Sequence, residues 1–265
     1  MSVHPTAIIE DGAVIGEGVE IGPFCHIGRD VRLADRVVLR SHVVISSQVE
    51  IGARTQIDAF TSIGGAPQHV GDAGEGTRVI IGADCTFREH VTVNRGTNGG
   101  AGVTVIGDNG YFMTGAHIAH DCQVGANAIF ANNATLGGHV EVGEGVFIGG
   151  LSAVHQHNRV GDFAFIGGCS LAVADVIPYA SAVGNRAILA GLNVIGMKRR
   201  GMSRDTILTM RAAYRRLFAP GSETFIEKVE ATRASFGDTP EVRRILEFID
   251  RLNSRPLMAP SRGEQ

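Results

Sequence analysis

Residues 112–142 read FMTGAHIAHDCQVGANAIFANNATLGGHVEV. Phe112, Ile118, Val124, Phe130, Leu136 and Val142 recur there at every sixth position. His117, His120, Asp121 and His139 fall between them, at positions the repeat leaves free to face solvent. The spacing continues upstream. Stepping by six from Val3 gives Ile9, Ile15, Ile21, Ile27, Leu33, Leu39, Ile45, Ile51, Ile57 and Ile63, all aliphatic. Four residues after each lies a small or β-branched side chain, as at Ala7, Val19, Cys25, Val31, Val43 and Thr55. Neither a helix nor a half-buried strand has this period.

A six-residue period enriched in Gly and β-branched residues reads as a parallel β-helix. Each hexad supplies a short strand and a corner, three faces close a coil of eighteen residues, and coils stack about 4.8 Å apart. The pattern lapses after Ile63 and resumes eighteen residues on at Ile81, which reads as one whole coil. His69 and Glu75 occupy slots that should be aliphatic, so 64–80 is expected to leave the prism as a loop. The Gly- and Asn-rich NRGTNGGAGVTV (94–105) reads as a second excursion. The register is then unbroken from Ile106 to Ile166. It fades beyond Leu171, where Pro178 and VGNRA (183–187) close about ten coils.

The expected division is a solenoid over 1–190 and a helical domain over 191–265. Ser203, Ser222 and Thr239-Pro240 are expected to open three helices. The tail from Pro256 is expected to fray. Seven basic residues between Lys198 and Arg216 face one acid, Asp205. They fit a solvated helix face or a dock for an anionic partner or nucleotide diphosphate.

Composition narrows the function classes. A formal charge of −3 gives no global attraction to nucleic acid or membrane. The first residues, MSVHPTAIIEDG, lack the basic and apolar segments of a signal peptide, and no apolar run is long enough for a transmembrane segment. A cytoplasmic protein is expected. Cys25, Cys85 and Cys122 fall in the small inward slot and read as packing residues; with Cys169 they show no CxxC spacing.

Eighteen residues per coil turns spacing into geometry. His120 should lie under Gly138 and Gln156, Asp121 under His139 and His157, and His155 over Gly137, all in one outward patch, with His117 on the adjoining corner. An imidazole beside a carboxylate, under a glycine amide, supplies the parts of acyl transfer: base, orienting group and oxyanion donor. No Ser or Cys there has a nucleophile's context, so direct attack by the acceptor is the simpler route. The same histidines fit a zinc-dependent hydratase of the carbonic-anhydrase kind, beginning with His117-x-x-His120. A non-catalytic scaffold is the third reading.

At AHIAHDC (116–122), ANNATLGGHV (131–140), AVHQ (153–156) and VIGMKRRG (194–201) the chain resembles the bacterial UDP-N-acetylglucosamine O-acyltransferases, nearly end to end. The resemblance implies a left-handed coil, a homotrimer with sites between prisms, and no cofactor beyond the phosphopantetheine of the donor. It implies transfer of a 3-hydroxyacyl chain from acyl carrier protein to the 3-position of a UDP-sugar, the first step of lipid A synthesis. It also implies His120 as general base, Asp121 as its partner and the Gly138 amide as oxyanion donor. His117, His139, His155 and Gln156 would line the sugar and acyl site. Asn193, Arg199 and Arg200 would serve nucleotide, phosphate or carrier contacts. Gly168 stands where a side chain would limit acyl length, so a long chain is expected. The chain departs from the family pattern in its first loop. Gln68-His69-Val70-Gly71 stands where Gln-Asp-Leu-Lys is common, Arg186 replaces a His, and Ile195 replaces a Glu. Loss of the loop's two charges suggests an acceptor with a 3-amino group.

Overall fold

A computed structural model describes residues 2–251 and 255–261. Its solenoid has three faces, of eleven, nine and eight strands, and the coil is left-handed. Strands three apart in sequence pair in parallel: Ser2↔Glu20, Ile8↔His26 and Val14↔Arg32 open the three ladders. The sixth-position column points inward and is almost wholly buried from Ile21 to Ile166. Phe87, Phe112 and Phe130 form a ring ladder in it, with centroids 4.7 and 5.1 Å apart. The small slot is buried too. Its polar members are satisfied by corner carbonyls: Thr61 Oγ1 donates to Arg88 O at 2.8 Å and Cys122 Sγ to Gly137 O at 3.2 Å. Burial pushes the Cys122 thiol up to about 12, which fits a packing role.

The excursions are narrower than expected and differ in kind from the reading of a missing coil. Strands Ser62–Gly65 and Arg78–Ile81 bound the first, so it spans 66–77; Thr92–Asn94 and Val103–Ile106 bound the second, which spans 95–102. Ile81 pairs with Ile51, not Ile63. The eighteen residues after Ile63 are therefore not a coil: they advance one face and carry a twelve-residue insertion. Ile81 then pairs with Ile106, leaving seven inserted residues. Both insertions leave at the corner between the second and third faces. Arg95 ties them together, donating to Gly74 O at 2.9 Å, Ala73 O at 2.9 Å and Gly64 O at 3.2 Å.

Past Leu171 the solenoid adds one more parallel strand, Ala180–Val183, which turns back as an antiparallel hairpin with Ile188–Leu192. Among the described residues four helices follow instead of three: α1 Val194–Arg199, α2 Arg204–Leu217, α3 Phe225–Phe236 and α4 Pro240–Asp250. Ser203 caps α2 as expected. Thr224, not Ser222, caps α3, because Glu227 three residues on completes a capping box with it. The end expected for α4, Leu252 and Asn253, lies outside the described residues. Residues 256–259 are docked, contrary to expectation, and 262–265 lie outside the described residues. The Asp175 N–H donates to Pro256 O at 2.9 Å, Met258 N–H to Asp175 O at 2.8 Å, and Met258 is 3% exposed. α4 lies against the third face through Arg244–Asp162 and through Arg159, which pairs with buried Asp175 at 2.7 Å under the Phe248 ring.

Candidate active site

His120 and Asp121 stand at the corner between strands His117–Ile118 and Gln123–Val124, one coil above the second insertion. The corner turns through left-handed backbone at Asp121, φ +60°, and again at His139 and His157, one and two coils up. Asp and His are among the side chains that tolerate this region best. His120 Nδ1 lies 2.9 Å from Asp121 Oδ2. The imidazole of His120 packs against Gly138, where a built Cβ would fall 2.4 Å from Cε1 and 2.6 Å from Nε2. Only glycine leaves that seat open. Among the described residues no acceptor meets the Gly138 N–H.

The pair does not face solvent. The side chain of His120 is 8% exposed and that of Asp121 is 0%. They point away from the prism's core, but the second insertion closes over them. Thr97 donates its N–H to the Asp121 carboxylate at 3.1 Å and its hydroxyl at 2.6 Å, and the Gly102 N–H donates at 3.0 Å. Gly100 presses its backbone on the same carboxylate, with a built Cβ 2.6 Å from Oδ2. Burial pushes the Asp121 carboxyl up, yet the Thr97 hydroxyl, the His120 imidazole and the Thr97 amide outweigh it and hold it below the ordinary range. Asp121 is an anion at neutral pH.

Other imidazoles gather around this pair. The His69 ring, from the first insertion, meets His120 edge-on at 5.6 Å; His139 meets it edge-on at 5.0 Å; His157 stacks on His139 at 4.5 Å. Burial lowers the pKa of His139; Asp121 opposes this, and His157, His120 and His69 add to it. His117 sits on a strand rather than a corner, its Nδ1 2.7 Å from Thr92 Oγ1, and burial lowers its pKa as well. Gln68, His155 and Gln156 are exposed beside the cluster.

The remaining expected residues lie elsewhere on the same chain. Gly168 is exposed at the corner between the first and second faces, where a built Cβ would meet Gly150 O at 3.5 Å, an ordinary contact. Asn193 caps α1 and donates to Phe163 O, while Arg200 donates to Gly145 O at 2.7 Å and covers the Phe163 ring; both belong to the corner between the third and first faces. Arg199 is exposed on α1. One prism thus spreads the expected set over three corners. A cavity of about 580 Å³ lies away from the histidines, between the third face and α4, against Glu141, Arg159, Arg244 and Phe248.

Sequence reading missed Thr97, Gly100 and Gly102, which clamp the carboxylate. Their only signal was a Gly- and Asn-rich break in the period, and a break does not say where it folds back.

Residues 103–138 match the bacterial transferase hexapeptide family, which sets the class as a hexapeptide-repeat transferase. Residues 1–98 match the GMPPB C-terminal domain, and 175–258 match domain 2 of UDP N-acetylglucosamine O-acyltransferase. An Azorhizobium caulinodans acyl-[acyl-carrier-protein]–UDP-N-acetylglucosamine O-acyltransferase is 58% identical over 202 residues, 76% of this chain and 74% of its own length. The Caulobacter vibrioides protein of the same name is 52% identical over 201 residues, 76% of each chain. The solved LpxA of Acinetobacter baumannii superposes with a TM-score of 0.94 at 37% identity, over 97% of this chain and all of its own. The chain belongs to the UDP-N-acetylglucosamine O-acyltransferase family. No helix among the described residues is long and apolar enough to cross a membrane.

Proposed function

We propose that the protein transfers a 3-hydroxyacyl chain from the thioester of acyl carrier protein to the 3-position of UDP-N-acetylglucosamine or its 3-amino analogue, opening lipid A synthesis. The observation that carries this reading is the His120–Asp121 hydrogen bond of 2.9 Å seated under an unengaged glycine amide. Asp121, held ionised by Thr97 and Gly102, fixes Nδ1–H of His120 and leaves Nε2 as base. Nε2 takes the acceptor's proton as its oxygen or nitrogen attacks the thioester carbon. The Gly138 N–H stabilises the developing oxyanion. The C–S bond then breaks, and the imidazolium returns its proton to the departing thiolate. His117 and His139, kept neutral by burial, remain hydrogen-bonding groups for the sugar.

The spread of Gly168, Arg199 and Arg200 over corners remote from His120 supports a homotrimer whose sites are completed between prisms. The bare surface at Gly168 supports a long acyl chain. A cytoplasmic location and the absence of a resident cofactor accord with this chemistry. His69, an imidazole edge-on to His120 where the family resemblance implies an Asp, supports the amino acceptor and an amide product. A zinc-dependent hydratase is less well supported. His120, Asp121 and His139 offer atoms within 4.8 Å of one another, but the carboxylate is filled by hydrogen bonds and His117 is held by Thr92.

Mass spectrometry of products from mixed acyl-carrier donors and both UDP-sugars tests the reading. A long-chain amide is expected with the amino sugar. Strong preference for the hydroxyl sugar removes the amine assignment, and no product from either sugar removes the function. Activity that vanishes with chelation and returns with zinc selects the hydratase.

A further inference from the structure

Among the described residues, Arg95 is spent on carbonyls of the insertions, and a second cation reaches the upper end of the histidine corner from the C-terminal segment. Residues 255–259 run back along the solenoid, anchored by Asp175 as described and by the Leu189 N–H donating to Ala259 O at 3.1 Å. This path brings Arg255 Nε to 3.1 Å from the Gln156 carbonyl, which also lies 3.3 Å from His155 Nδ1. Gln156 belongs to the coil directly above Gly138, whose carbonyl accepts from the His157 N–H at 3.0 Å. Elsewhere on the solenoid and helices, Arg159, Arg216, Arg233, Arg244 and Arg251 each meet a carboxylate. Among the described residues none meets Arg255. Its guanidinium is pinned through one N–H, with its charge left at the rim of the corner.

Distance selects the anion. Five bonds separate the 3-position heteroatom of a UDP-sugar from its nearer phosphorus, and thirteen separate the thioester sulfur of a phosphopantetheine arm from its phosphorus. At about 1.2 Å of reach per bond these are about 6 Å and about 16 Å. Adjacent coils are about 5 Å apart, so a group one coil above the Gly138 amide suits the shorter reach. We propose that Arg255 binds the diphosphate of the acceptor nucleotide, an inference that rests on the acyl-transfer reading above. A planar fork with fixed charge is the side chain suited to phosphate oxygens.

Calorimetric titration with UDP, which needs no turnover, tests it on the whole chain. Arg255→Gln keeps an N–H for the Gln156 carbonyl but removes the charge, and Arg255→Lys keeps the charge. Binding to Arg255→Gln is expected to weaken about tenfold and to lose part of its salt dependence, with partial recovery in Arg255→Lys. The KM of the UDP-sugar should rise while that of the acyl donor holds. Wild-type UDP affinity in Arg255→Gln would overturn the proposal and leave the residue a fastener of the tail. A wild-type protein that does not bind UDP would remove the nucleotide reading itself.

Discussion

Two corners of the prism share one backbone and have opposite surroundings. Between the first and second faces, Phe24, His42, Phe60 and His90 turn through φ of 58–63° and stack at 5.0, 4.9 and 5.2 Å. Between the second and third faces, Asp121, His139 and His157 turn through φ of 60–63°, also in a column. The first column is open, with Phe24 58% and Phe60 53% exposed. The second is roofed by two insertions, and Asp121 is buried. Stacking alone therefore makes ladders of rings and does not make chemistry. Desolvation and a clamped carboxylate come from the insertions, which only one corner carries.

The largest effect should come from removing the base at the roofed corner. His120→Ala should cost about 10²–10⁴ in kcat/KM. Its thermal midpoint should stay near wild type, because the side chain lies outside the aliphatic column. Wild-type turnover would remove the base assignment. Unroofing the carboxylate is next. Thr97→Val deletes the 2.6 Å hydrogen bond to Asp121, so the carboxyl should titrate higher and kcat/KM should fall about tenfold at neutral pH. An unchanged pH–rate profile would mean the clamp is idle.

A subtler consequence concerns stability. His117 has a lowered pKa from burial, so the unfolded chain takes up that proton first as the pH falls through the ordinary histidine value. The stability held above that value is then lost progressively down to the depressed folded value. His117→Gln should flatten this acid slope in denaturant titrations; an unaltered slope would assign it to other groups. The smallest effect belongs to the open corner. His42→Ala should leave kcat/KM within about twofold, as expected for an exposed side chain outside the site. A large loss would make the two corners functionally alike.

Much of this contrast was legible before any coordinates. The period placed Phe112, Ile118 and Phe130 inside and brought His120, Gly138 and Gln156 into one column, because β-stacking converts sequence separation directly into height. The period could not report what happens where it stops. Ile81 looked like a coil closed on Ile63 because twelve inserted residues plus one face mimic eighteen. Asp121 looked solvated because its roof comes from residues 95–102, whose fold is set by hydrogen bonds to a carboxylate nineteen or more positions away. The tail looked frayed because its anchors, Asp175 and Leu189, are remote in sequence. Ser222 looked like a cap until the reciprocal Glu227 favoured Thr224.

The two insertions begin and end at a single edge, and the columns resume above each without a lateral shift. Such departures act as interchangeable inserts in a rigid frame. Exchanging 66–77 for a relative's segment should alter acceptor preference while the stacked coils below and above keep their alignment, so substrate range can drift in this architecture without renegotiating the fold.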